Sequence, residues 1–167
     1  MNQKMRFIGP FLLASIAGAI LANPVDASAL WVRKHASGCM ATSGKALDKD
    51  WSIQNDSTTS AMTIVCTFDE SDRFNHGDVA SVTVNGEDGS SGDEVTARTC
   101  HIEQTGTAGG CGALVSTTVS GTGSYSLMPV PDWGSSTSGD YVYTVVELPA
   151  KTSSGSRSTL RGVTITD

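Results

Sequence analysis

The 167-residue chain is poor in several things that catalytic and nucleic-acid-binding domains use. It has three histidines, three tryptophans, three tyrosines and four phenylalanines, and only 11 basic side chains against 17 acidic ones. A formal charge of −6 repels phosphate backbones and anionic lipid surfaces, so neither nucleic acid nor a membrane surface is an expected partner. No G-x-S-x-G elbow is present, so the strained nucleophile of an α/β-hydrolase has no place to sit. No C-x-x-C pair occurs, which removes zinc-ribbon and thioredoxin-like chemistry. Leucine is scarce after residue 30, and apolar residues rarely recur at helical spacing.

One apolar run exists, from Phe7 to Ala22. It follows Lys4 and Arg6 and precedes Ala27-Ser28-Ala29, the order of charge, apolar core and small-residue cleavage site of a secretory signal peptide. Its 16 residues, interrupted by Gly9 and Pro10, fall short of the roughly 20 that span a bilayer. Ala36-Ser37-Gly38-Cys39 loosely resembles a lipoprotein box, but Arg33, Lys34 and His35 separate it from the apolar run. The expected organisation is a signal peptide over 1–29 and a single secreted or periplasmic domain over 30–167. Removal of Lys4, Arg6 and Asp26 leaves 9 basic and 16 acidic side chains, a formal charge of −7 on 138 residues. That length buries a core of its own.

Beyond residue 30 the chain is rich in Ser, Thr, Gly and Val. Short Val/Ile/Thr/Tyr runs recur between Gly, Asn, Asp and Ser, which are strand signals bounded by turn signals. In Met62–Phe68, Met62, Ile64 and Cys66 alternate with Thr63, Val65 and Thr67; in Val79–Asn85, Val82 and Val84 are expected to point inward; Tyr141–Leu148 is the strongest strand. Further strands are expected over 51–53, 95–102, 113–120, 125–128 and 159–166, with 30–35 either a short strand or an extended lead-in and 39–42 a candidate second strand. No helical crossover separates them, so the sheets are expected to be antiparallel. The expected fold is an all-β antiparallel sandwich, immunoglobulin-like or jelly-roll, of about seven to nine strands.

Cys39, Cys66, Cys100 and Cys111 allow three pairings. Pairing in sequence order is the simplest, because Cys100 precedes the Gly-rich connection 106–112 and Cys111 stands near its end, so the two can face each other across a hairpin. Each bridge would contribute roughly 3 kcal/mol in the loop-closure picture.

Few residues offer chemistry. His76 reads as a loop residue and His101 as a surface strand residue. Two acidic loops, Asp69-Glu70-Ser71-Asp72 and Asn85–Glu94 with Glu87, Asp88, Asp93 and Glu94, could supply oxygen ligands to calcium, without EF-hand spacing; no other cofactor is implied. Asn55-Asp56-Ser57 matches the N-glycosylation pattern, a chance match beside a bacterial-type signal peptide. Trp133, on the stiff loop Pro129–Ser135, is the candidate stacking platform for a sugar ring, with Tyr125 as a helper. Trp31 and Trp51 are expected to serve as core or edge packing. Tyr141 and Tyr143 share one face of their strand, either in the core or as an exposed ladder.

Asp72-Arg73-Phe74-Asn75-His76, Thr96-Ala97-Arg98-Thr99-Cys100 and the closing Ser158-Thr159-Leu160-Arg161-Gly162-Val163 resemble segments of secreted β-rich proteins of Gram-negative bacteria, a group with no assigned function. The resemblance implies export and a β fold and carries no site residues. The expected role is a non-catalytic recognition domain that binds carbohydrate or a surface polymer through loop aromatics. The alternative is a structural subunit of an extracellular filament, coat or matrix, joined by strand addition at exposed edges; the expected partner is a polysaccharide or another surface protein. Neither oligomeric state nor ligand is legible.

Overall fold

The structure is a computed structural model that describes residues 31–49, 51–68, 79–103, 106, 108–118, 122–131, 141–152 and 155–166. The expected signal peptide therefore lies outside the described residues, as do Trp133, His76 and the loop Asp69–Asp72.

Two antiparallel sheets face each other. The strands are β1 (Trp31–His35), β2 (Met40–Ala41), β3 (Ala46–Lys49), β4 (Ser52–Asn55), β5 (Met62–Thr67), β6 (Ser81–Asp88), β7 (Thr96–Ile102), β8 (Gly109–Cys111), β9 (Val115–Ser116), β10 (Gly123–Leu127), β11 (Tyr141–Leu148) and β12 (Thr159–Thr166). The first sheet runs β10-β6-β12-β4-β3, with β1 also paired to β12. The second runs β2-β5-β11-β7-β8, with β9 also paired to β7. The all-β antiparallel sandwich expected from sequence is the observed architecture, with twelve strands among the described residues where about seven to nine were expected, because several edge pieces are only two or three residues long.

The core comes from one alternating face of each sheet. Met62, Ile64 and Cys66 of β5, and Val142, Val146 and Leu148 of β11, meet Val82 and Val84 of β6 and Leu160, Val163 and Ile165 of β12; all are essentially buried. The other face of β11 puts Tyr141 in solvent, 55% exposed, and Tyr143 half-buried, so the tyrosine face is not core. Between Thr99 of β7 and Thr144 of β11, which are register partners, the core is polar, and neither buried hydroxyl has a hydrogen-bond partner.

The two bridges are Cys39–Cys66 and Cys100–Cys111, the sequence-order pairing. Such bridges persist in oxidising compartments. Among the described residues no helix is long and apolar enough to cross a membrane.

Three local expectations are corrected. Of the strand expected over 113–120, only Val115–Ser116 (β9) is strand among the described residues, and the preceding piece, β8, was not expected. β8 lies within the Gly-rich stretch: Cys111 is bonded to Cys100, which brings the chain against β7, and a Cβ at Gly109 would stand 2.6 Å from the His101 carbonyl oxygen. Only glycine permits that approach. His101 is buried, 8% exposed, with its ring over Gly110 where a Cβ would come within 3.1 Å of Cε1. Glu87 and Asp88 belong to β6 rather than to a turn, because Gly123–Tyr125 of β10 pair with Asp88–Gly86 and extend the ladder.

Asn55 ends β4 as an internal clamp. Its side-chain amide donates to the carbonyls of Ser60, Leu148 and Pro149, and its Oδ1 accepts from the Ser57 amide. Asn55 is fully buried, which leaves the glycosylation pattern inaccessible. Next to it, Asp56 accepts from Lys151 at 2.8 Å and from both Nε and Nη2 of Arg157, and pairs with Lys45 at 3.0 Å. These bonds join the entry to β3 with the β11–β12 connection. The Lys151 ammonium first, then Arg157 and Lys45, hold the Asp56 carboxyl below the usual carboxylate range.

Candidate functional site

A cleft of about 370 Å³ opens on the outer face of the first sheet, lined by His35, Trp51, Ser52, Gln54, Glu87, Thr159 and Arg161. Four strands and one connection build it. β1 pairs along β12 from Trp31 opposite Thr166 to His35 opposite Gly162 and then leaves the sheet; β4 takes over the same edge, with Ile53 opposite Leu160 and Gln54 opposite Thr159. Trp51, in the β3–β4 connection, fills the place where the two strands meet. Its ring stands edge-to-face with His35, with centroids 5.9 Å apart and planes at 84°.

Trp51 is 74% exposed and has φ +68°, the non-glycine residue with positive φ among the described residues. A bulky side chain is strained there, at a cost of roughly 1–3 kcal/mol. Sequence reasoning expected a half-buried strand residue, and this is a correction. The alternation Trp51-Ser52-Ile53 suited a strand, but β4 begins at Ser52 and the tryptophan belongs to the turn. Trp31, also expected in packing, is 57% exposed on β1 with the Arg33 guanidinium 4.3 Å from its ring centroid.

The polar wall follows from an irregularity in β12. The register shifts between Leu160 and Gly162, so Leu160 and Val163 both face the core although an odd number of positions separates them. A bulge of this kind re-aims the residue inside it. Here that residue is Arg161, turned outward, where its Nη2 donates to Glu87 Oε2 at 2.9 Å. Both partners are about half exposed, so the pair is weak in isolation and open to rearrangement. Gly162 is required beside the bulge: a Cβ would stand 2.7 Å from the Lys34 carbonyl oxygen.

Tyr125, expected as an aromatic helper at a ligand, is a core residue. It is 9% exposed, and its hydroxyl donates to the Thr159 carbonyl at 3.0 Å across Gly86. A Cβ at Gly86 would collide with that hydroxyl and with the Thr159 carbonyl oxygen. Burial, with the Asp88 carboxylate adding to it, raises the Tyr125 phenol above its ordinary range.

The carboxylates of the second acidic loop do not converge. Glu87 is paired with Arg161. Asp88 is buried and accepts from the Ser90 amide, the Ser158 hydroxyl and the Thr117 hydroxyl at 2.9, 3.0 and 2.6 Å. Asp93 is exposed and Glu94 half-buried. Among the described residues no three His, Cys, Asp or Glu side chains gather as metal ligands.

No protein-family model and no curated protein matches the chain. Among solved structures it is similar to a family two carbohydrate esterase from Cellvibrio japonicus, with a TM-score of 0.45 and 10% sequence identity. The match covers 83% of this chain and 34% of that one, so the chain spans about a third of that protein's length.

Proposed function

We propose that this is an exported, non-catalytic recognition domain that binds a polysaccharide on the outer face of the first sheet. The observation that carries the reading is Trp51: a solvent-exposed indole held on left-handed backbone, braced by His35, beside a cleft that also presents Gln54, Glu87 and Arg161. A flat indole gives a sugar ring an apolar surface for its C–H face. An amide, a carboxylate and a guanidinium supply the acceptors and donors that read hydroxyl groups. Strained backbone clusters at ligand clamps and active sites, which supports reading the exposed Trp51 as a ligand-presenting position. The domain is read as non-catalytic because Glu87 is the carboxylate lining the cleft among the described residues, and glycoside hydrolysis uses a pair. The two disulfides support export to the periplasm or beyond.

The test is retention of the oxidised protein on immobilised cellulose, xylan, mannan, chitin and alginate, with wild type, Trp51→Asn and Trp133→Ala side by side. Selective retention of wild type and its loss in Trp51→Asn supports the reading. Loss in Trp133→Ala alone moves the platform back to the loop singled out by sequence. Retention of none of the three, with concentration-dependent growth of particles, replaces recognition by a subunit that assembles through strand edges.

A further inference from the structure

The cleft is one end of a longer track. Trp31, Arg33 and His35 alternate on the outward face of β1, and Trp51 stands against His35. Trp31 and His35 are four residues apart on one strand, which separates the two aromatic positions by about 13 Å. The full edge of β12 followed by β1 and β4, from Thr166 to Thr159, extends about 23 Å. Arg33, laid over one face of Trp31, fixes that ring while leaving it 57% exposed. Beyond the cleft, Thr164 and Thr166 of β12, half-buried and opposite Arg33 and Trp31, continue the same sheet face toward Trp31.

We infer that the ligand is an extended stretch of a polysaccharide chain, laid along β1 and β12 across two aromatic platforms, rather than a chain end or a single sugar. This rests on the carbohydrate reading of the Trp51 cleft. Trp51 and His35 form the primary platform and Trp31 a distal one, engaged only by a chain long enough to reach it. Removal of residues 1–29, expected from the sequence, keeps Trp31 in the exported chain.

The inference is tested by calorimetric titration of the exported, oxidised protein with size-graded oligosaccharides, monosaccharide to hexasaccharide, cut from whichever polysaccharide of the panel retains it. Affinity is expected to rise at least tenfold from disaccharide to hexasaccharide. Trp31→Ala should lower hexasaccharide affinity about tenfold and leave the disaccharide unchanged; Trp31→Tyr, which keeps a ring, should restore most of the gain. Trp51→Asn should weaken both ligands. Equal affinity for short and long sugars, or a Trp31→Ala protein with undiminished length dependence, overturns the extended-chain inference while the carbohydrate reading stands. Retention on no polysaccharide overturns both.

Discussion

Replacing Trp51 by Asn separates a ring held for recognition from a ring held for packing. The ring is 74% exposed, so its removal surrenders about a quarter of its surface. For a side chain that covers up to about 250 Å² when fully buried, that is roughly 60 Å², or about 1.5 kcal/mol at 25 cal/mol per Å². Left-handed backbone at φ +68° costs a side chain with a Cβ roughly 1–2 kcal/mol, and asparagine, which keeps a Cβ but tolerates this conformation better than any bulky residue, returns only part of that. The partial offset leaves an expected loss of about 1 kcal/mol, or about 4 °C in the melting temperature of a domain this size. A tryptophan in the core would behave differently, losing about 3–5 kcal/mol and about 10 °C or more. The assay is thermal unfolding of the oxidised protein followed by far-ultraviolet circular dichroism, with polysaccharide retention measured on the same preparations. A melting temperature within about 4 °C of wild type with lost retention is the expected pair of results. A fall of about 10 °C or more refutes the argument, because it makes Trp51 a packing residue whose loss disturbs the fold.

Two further outcomes follow from polar groups in the interior and at the sheet ends. Thr144→Val should stabilise the protein by about 1 kcal/mol in urea unfolding, because it removes one of two facing buried hydroxyls that have no partner; a loss of stability would show that the hydroxyl is satisfied. Asp56 has a folded-state carboxyl held below its unfolded range, so its contribution is full above about pH 5 and is lost as pH falls through the depressed folded value. In unfolding measured from pH 7 to pH 2, the advantage of wild type over Asp56→Asn should therefore persist at pH 4 and shrink below it; an advantage that grows with acid would contradict the sign.

The framework was legible where burial sets a period of two. Met62-Ile64-Cys66 and Val82-Val84 face the core as their alternation requires, and the hairpin around a Gly-rich stretch pointed to the Cys100–Cys111 bridge. The candidate site was less legible, for physical reasons. Trp51 lies two positions before Ile53, which imitates strand alternation, and its left-handed backbone contradicts the preference of a bulky residue. Nothing local announces that Arg161 turns outward; that follows from a register shift against a strand 74 positions away. Tyr125 sits among serines in Gly123–Leu127 and reads as exposed, yet Gly86 on the neighbouring strand leaves the space its phenol occupies, a tertiary fact absent from its own segment.

Three of the four bridged cysteines, Cys66, Cys100 and Cys111, lie on strands of the second sheet, and Cys39 immediately precedes its edge strand β2. One bridge fastens β5 at the β2 edge and the other fastens β7 at the β8 edge, while the sheet that carries Trp31, Trp51 and Arg161 has no covalent link of its own. The molecule thus divides its labour between a locked back and a replaceable front. Outward-facing residues of β1, β4, β6 and β12 can be exchanged without touching a cysteine or the core, so a designer could regraft that front while the second sheet keeps the frame.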